Sequence, residues 1–206
     1  MNPVNNFVIN YPNGDNYIGQ VVVTYPNIPV AHGIGTKTFR CGDVYHGSFA
    51  YDQFNGYGHF KSLNGDYYKG TYTSDQPNGT GESYQAANQR HYVGGFRMGV
   101  EDGNAVITKV DYAVNGGTKK YEGEVRSGKR QGRGKLYVTQ LDGQMAWFDG
   151  MWYNDLLNGY GTQTATGRCF MGIFVNGYLE GQGKCRAEDG KAYDVIFTRG
   201  VITKWL

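Results

Sequence analysis

The sequence has no long hydrophobic run: nothing reaches the roughly 18 apolar residues that mark a membrane-spanning helix. The amino terminus, MNPVNNFVINYP, lacks both a basic leader and an apolar core, so no secretory signal is expected. Charge of one sign is scarce too. The 20 Lys and Arg against 18 Asp and Glu leave a formal net charge of +2, so no global field argues for nucleic acid as a partner. Three cysteines, Cys41, Cys169 and Cys185, stand far apart with no C-x-x-C spacing. That usage fits a reducing compartment better than a disulfide framework. Together these absences lead to the expectation of a cytoplasmic protein, in which Asn78-Gly79-Thr80 is a turn rather than a glycosylation site.

Catalytic constellations are missing as well. The four histidines, His32, His46, His59 and His91, show neither H-x-x-x-H nor H-E-x-x-H spacing, and no G-x-S-x-G occurs. The stretch GKRQGRGKL (128–136) resembles a phosphate loop but places Lys129 where the first glycine belongs and Leu136 where Ser or Thr is needed. No enzyme, no cofactor and no metal site are expected.

Glycine and tyrosine are abundant instead, with 33 Gly and 18 Tyr; glycine stands at about twice its ordinary share of roughly 7%. Their order is periodic. An aromatic-x-Gly unit recurs at Tyr17/Gly19, Tyr45/Gly47, Tyr68/Gly70, Tyr92/Gly94, Tyr121/Gly123, Phe148/Gly150 and Phe170/Gly172. A Gly-x-Gly element follows at Gly33/Gly35, Gly56/Gly58, Gly79/Gly81, Gly103/Ala105, Gly132/Gly134, Gly159/Gly161 and Gly181/Gly183. From the second repeat on, the interval between the two elements is constant. In the third repeat, strand alternation puts Tyr68, Gly70 and Tyr72 on one face, and in the second it does the same for Tyr45, Gly47 and Phe49. A glycine between two aromatics marks close approach, here of a ring from a neighbouring strand. Both glycines of each Gly-x-Gly are expected to share a face opposite such rings. Asn13-Gly14, Asn64-Gly65, Asp142-Gly143 and Asp189-Gly190 supply turn chemistry between units. Each repeat therefore reads as one hairpin, with its core shared between neighbours.

The stretches GDVYHGSF, GDYYKGTY and KKYEGEV, each followed by its glycine pair, resemble MORN repeats. The resemblance covers residues 14–189 as seven repeats. It implies an all-β fold, an elongated single-layer twisted antiparallel sheet built from tandem hairpins. The expectation is one domain over 1–206, with 1–13 as an amino-terminal cap and 190–206 as a partial eighth repeat and carboxy-terminal cap. Trp205 is expected to plug that end. The resemblance also implies a non-enzymatic scaffold or adaptor in a larger assembly, cytoskeletal, ciliary or membrane-associated.

Two regions stand out as binding candidates. The first is basic: Lys119, Lys120, Arg126, Lys129, Arg130, Arg133 and Lys135, offset only by Glu122 and Glu124. Such density suits an acidic protein surface or anionic phospholipid, the latter defining an alternative reading as a peripheral membrane adaptor. The second comprises two insertions, 24–32 with Tyr25 and Ile28, and 108–119 with Tyr112 and Val114. The expected partners are other proteins, with a second copy of the chain among them because open strand edges invite pairing.

Overall fold

The computed structural model describes residues 4–111, 117–165 and 167–206. Tyr112 and Val114 lie outside the described residues. The fold is all-β and antiparallel throughout, with one short 3-10 turn at Ala86–Asn88 as its one helical element among the described residues. It divides into two compact units, Met1–Val100 and Glu101–Leu206.

In the first unit, β1 (Val4–Asn10), β2 (Asn16–Thr24), β3 (Ile28–Thr38) and β4 (Val44–Ala50) are followed by β5 (Gln53–Lys61), β6 (Tyr67–Thr73), β7 (Gln76–Gln85) and β8 (Arg90–Arg97). Each strand pairs with the next. The second unit runs through β9 (Val100–Asp111), β10 (Gly117–Arg126), β11 (Lys129–Thr139), β12 (Met145–Tyr153) and β13 (Leu156–Ala165). It ends with β14 (Arg168–Val175), β15 (Tyr178–Arg186), β16 (Ala192–Thr198) and β17 (Val201–Trp205). These strands too pair in sequence order.

The register explains the fixed spacing. Glycines of adjacent strands stand opposite one another: Gly47 faces Gly35 and Gly58, and Gly70 faces Gly58 and Gly81. Over the pairs Gly19–Gly35, Gly47–Gly58, Gly70–Gly81 and Gly123–Gly134 lies a tyrosine ring two residues before the first glycine. The Tyr68 hydroxyl sits where a Cβ on Gly70 or Gly81 would go. The ring thus covers its own strand's glycine and the partner's, rather than being supplied only from next door. Its hydroxyl donates to the carbonyl three residues on, Tyr45 to Ser48 at 2.9 Å, Tyr68 to Thr71 at 3.0 Å and Tyr121 to Glu124 at 2.9 Å. A buried phenol needs such a partner. Where Phe148 and Phe170 replace tyrosine, no hydroxyl is available. Buried Leu157 and Leu179 then fill the space above Gly150 and Gly172.

The two glycines of Gly-x-Gly do not share a face, contrary to expectation. A bulge separates the Gly70–Gly81 pair from the Tyr72–Pro77 pair. A Cβ on Gly79, at φ +100°, would meet Thr71 on the face away from the rings, whereas one on Gly81 would meet the Tyr68 ring. The bulge lets the outer strand absorb extra residues without shifting the ring-bearing face.

Turn chemistry also differs from the simple reading. The two-residue turns lie within repeats and use residues such as Tyr51-Asp52, Ser74-Asp75 and Asn154-Asp155, all at positive φ. Asn13-Gly14 and Asn64-Gly65 sit instead in longer loops between repeats, where Gly14 N–H donates to the Tyr11 carbonyl. Aspartates hold consecutive repeats together. Asp75 N–H donates to the Phe54 carbonyl at 3.0 Å, and the Phe54 N–H returns to the Asp75 carboxylate at 2.8 Å. Asp52 makes the same pair of bonds with Ala31, and Asp155 with Arg130. On the opposite edge Asp15, Asp43 and Asp66 accept N–H groups of Arg40, Leu63 and Ala86.

At the carboxy-terminal end, buried Val195 occupies the position opposite Gly183, and Phe197 covers that glycine. Trp205 does not plug the end: its ring meets Tyr193 edge-on and stays half exposed. The described residues of the 108–119 insertion, 108–111 and 117–119, are strand, with Thr108 opposite Lys120 and Asp111 opposite Gly117.

Candidate interaction surface

Pleating divides every strand into a ring-lined face and an opposite, outward face. The ring-lined face is occupied. Tyr17, Tyr45, Tyr92 and Phe174 are fully buried on it, and edge-on contacts link ring to ring, as Tyr68 to Tyr72 at 5.0 Å and Tyr68 to Phe96 at 4.8 Å. Burial pushes Tyr17, Tyr68 and Tyr121 up to about 12, because ionising a phenol there would place charge among rings. The anticipated repeat residues Tyr45, Gly47, Phe49, Gly58, Tyr68, Gly70, Tyr72 and Gly81 all lie on this face; Gly56 and Gly79 form the bulges behind it.

The basic segment is distributed over both faces. Arg130 points inward. Its guanidinium lies over the Trp152 ring at 4.3 Å and bonds the Asp155 carboxylate at 3.2 Å and the Asp155 carbonyl at 2.7 Å. It is a packing residue, held by cation–π and charge-assisted contacts. Lys119 shares the inward side with Tyr121 and is engaged there. Lys120 faces outward and pairs with Glu122 at 2.6 Å. Lys135 lies over Trp147 at 4.4 Å and Tyr137 at 5.1 Å. Arg126, Lys129 and Arg133 remain exposed on the outward face with no ion pair among the described residues. Nothing in the linear run distinguishes Arg130 from its neighbours, because its partners Trp152 and Asp155 are 22 and 25 residues away.

Of the insertion residues, Tyr25 is almost fully exposed in the β2–β3 turn and Ile28 is half exposed at the start of β3. They belong to the first unit, and the basic segment to the second.

An exposed apolar cluster was missed by the sequence reading. Met151, Tyr153, Leu156, Tyr160, Ile173, Val175 and Tyr178 are each between 45% and 64% exposed. Register places them side by side, with Tyr153 opposite Leu156, Tyr160 opposite Ile173, and Val175 opposite Tyr178. Its signal was present in the alternation of β12 to β15, where the lattice residues alternate with others of which Met151, Tyr153, Leu156, Tyr160, Ile173, Val175 and Tyr178 are apolar too. A groove of about 740 Å³ runs beside it, lined in part by Arg126, Gln131, Met151, Tyr153 and Asn158. Smaller depressions adjoin Met151 and Tyr160, and Tyr160 and Ile173.

In the first unit the outward face is mixed, with Ile18, Ile34, Tyr57 and Val93 exposed among polar and titratable side chains. Tyr67 donates to Glu82 at 2.5 Å and His91 Nε2 lies 2.8 Å from the same oxygen. These two contacts hold the Glu82 carboxyl below its usual range. No group of three His, Cys, Asp or Glu side chains among the described residues could hold a metal ion, and no described helix is long and apolar enough to cross a membrane.

The family model described as MORN repeat matches residues 45–67, 92–114, 121–138, 148–167 and 170–191, together just over half of the chain. The hairpins built on Tyr17 and Tyr68 fall outside those matches yet make the same hydroxyl-to-carbonyl bond. Comparison with curated proteins returned no match. Among solved structures, the wild-type TCP10 domain of Danio rerio CPAP aligns over 97% of this chain and 99% of its own, at 10% identity and a TM-score of 0.30. A streptogramin B lyase aligns over 93% of this chain and 68% of its own, at 12% identity and a TM-score of 0.17. Superpositions this loose establish no shared fold.

Proposed function

The chain belongs to the MORN-repeat family, and from that membership we propose that it is a non-enzymatic scaffold holding other proteins in a larger assembly. MORN repeats commonly serve as protein or membrane interaction modules. The observation that carries the reading is the apolar cluster on the outward face of β12 to β15. The fold closes its core with tyrosines, glycines and leucines on the other face and has no use for those side chains. Contiguous exposed apolar surface of this kind marks association sites. The assembly in this reading is cytoplasmic and of the cytoskeletal, ciliary or membrane-associated kind that the family resemblance implies. A second copy of the chain counts among the candidate partners, since strand edges pair readily.

Affinity capture of the full chain from its native cell, with quantitative mass spectrometry, tests the reading. Recovery of a reproducible stoichiometric set of proteins supports it. Recovery of the chain alone contradicts it.

One observation favours a second reading as a peripheral membrane adaptor: Arg126, Lys129 and Arg133 are exposed and make no ion pair among the described residues. Each such cation near an anionic bilayer contributes about 1 kcal/mol. Co-flotation with phosphatidylserine vesicles, abolished when all three become Glu, would support it. Absence of flotation at low salt removes it.

A further inference from the structure

Four positions in each repeat face outward around its two-residue turn: the residue after the aromatic-x-Gly glycine, the residue two further on, the residue following the turn, and the one between the paired glycines. The lattice leaves their chemistry open, and the chain fills them differently. In the third repeat they are Thr71, Thr73, Gln76 and Thr80, all polar and uncharged. In the fifth they are Glu124, Arg126, Lys129 and Arg133. In the sixth they are Met151, Tyr153, Leu156 and Tyr160, and in the seventh Ile173, Val175, Tyr178 and Gln182. Chemistry therefore changes in blocks, from charged to apolar, along one face whose backbone repeats.

We infer that this face, from β10 to β15, is a docking site for an amphipathic helix of a partner protein, apolar along most of its contact side and acidic at one end. The inference rests on the scaffold reading and supplies its partner chemistry. Register makes the block continuous, since Arg133 stands opposite Met151, and Tyr160 opposite Ile173. The 740 Å³ groove joins the halves, with Arg126 and Gln131 at one side and Met151 and Tyr153 at the other. The carboxylates there, Asp102, Glu124 and Asp149, are fewer than the cations Arg126, Lys129, Arg133 and Lys135, and Glu124 also accepts the Arg133 N–H at 3.2 Å. A positive excess therefore remains at that end of the face, which favours an acidic partner.

Six strands at about 4.8 Å spacing span roughly 24 Å, the length of a helix of about 16 residues. Apolar residues at helical spacing would meet the Met151 and Ile173 rows, and carboxylates the three cations, as in helix-in-groove recognition. A second copy fits poorly. An isologous contact would set the cations of each face against the apolar block of the other or against each other.

The test uses the full chain and a labelled synthetic helix of about 18 residues, with Leu and Ile on one stripe and Glu in one end turn, followed by fluorescence anisotropy. A counterpart carrying Lys in place of Glu is the control. The acidic helix is expected to bind, to weaken with added salt, and to lose more than about tenfold in affinity both to Tyr160→Glu with Ile173→Glu and to the charge reversal of Arg126, Lys129 and Arg133. Unchanged sheet circular dichroism of each variant keeps loss of folding out of the result. Equal binding of the Lys helix, or binding indifferent to both variants, overturns the inference. So does self-association of the wild type that Tyr160→Glu with Ile173→Glu abolishes, because a second copy would then be the occupant. So does flotation with anionic vesicles in the absence of helix binding. Capture from cells separates the two levels: a partner set retained by both variants leaves the scaffold reading standing and removes this site, whereas no partner set at all removes the scaffold reading itself.

Discussion

Replacing Gly70 with alanine isolates the steric requirement on which the repeat depends. Gly70 lies in the middle of β6, between Gly58 and Gly81, and its φ lies outside the left-handed region, so backbone conformation does not oppose alanine. The added Cβ would come within 2.5 Å of the Tyr68 hydroxyl, 2.6 Å of the Gly81 Cα and 2.7 Å of the Thr80 carbonyl oxygen. Favourable separation for carbon atoms is about 3.5–4.0 Å, so the overlap approaches an ångström. Two of the three obstacles are backbone. The third is held by its bond to the Thr71 carbonyl at 3.0 Å. Overpacking of this kind costs about 1–3 kcal/mol, and losing the hydroxyl bond about 1 more. The reduced freedom of the unfolded chain returns about 0.4–1 kcal/mol. A net destabilisation of about 2–3 kcal/mol follows, or roughly 5–10 °C in melting temperature for a chain of this size. Gly143→Ala is the control: nothing lies within 4 Å of its Cβ, and its φ of +83° charges only the left-handed penalty of about 1–2 kcal/mol. Urea unfolding followed by far-ultraviolet circular dichroism compares the two. If Gly70→Ala is no more destabilising than Gly143→Ala, the packing of ring over paired glycines is wrong.

Other perturbations probe the remaining contacts. Tyr68→Phe should lose about 1 kcal/mol by denaturant titration, since it deletes only the hydroxyl bond, while Tyr178→Phe on the exposed face should lose nothing measurable. Asp75→Ala removes the carboxylate that accepts the Phe54 N–H and is expected to cost about 1 kcal/mol; Asp75→Asn keeps an acceptor and should recover most of it, and equal losses would contradict the clamp. High pH should unfold the chain. The folded state keeps Tyr17, Tyr68 and Tyr121 neutral up to about 12. Unfolded tyrosine ionises near about 10, so this contribution is intact below that value and lost as pH rises through the folded one. Tyrosinate absorbance should therefore rise cooperatively with loss of sheet signal. A gradual titration with the sheet intact would refute the burial argument.

Much of this fold can be read in the sequence, because the information is local and repeated. The alternation of Tyr68, Gly70 and Tyr72 and the constant interval to Gly81 are sufficient to give one hairpin per repeat with its rings on one face, but not to show that glycine faces glycine beneath a ring of the same strand. Other features depend on geometry that strand alternation does not encode. Gly79 and Gly81 look equivalent in sequence, yet a bulge puts them to opposite uses. Phe148 and Phe170 look like conservative replacements, yet the missing hydroxyl transfers the space-filling to Leu157 and Leu179. The binding surface is less legible still. A run of seven cations suggests a single patch, but period-two alternation splits it and Arg130 is committed to Trp152 and Asp155. The apolar cluster escapes a linear reading because its members come from four strands, with Met151 and Ile173 separated by 22 residues.

The central claim, that one face makes the fold and the other makes contacts, is tested most directly by a single variant measured twice. Met151, Tyr153, Leu156 and Tyr160 are all replaced by Asp, and the full chain is assayed for melting temperature and for the protein set captured from its native cell. The account predicts a melting temperature close to that of the wild type, since all four are exposed, together with loss of the captured set. A captured set that survives intact in a folded variant, or a melting temperature that collapses as the set disappears, would contradict it.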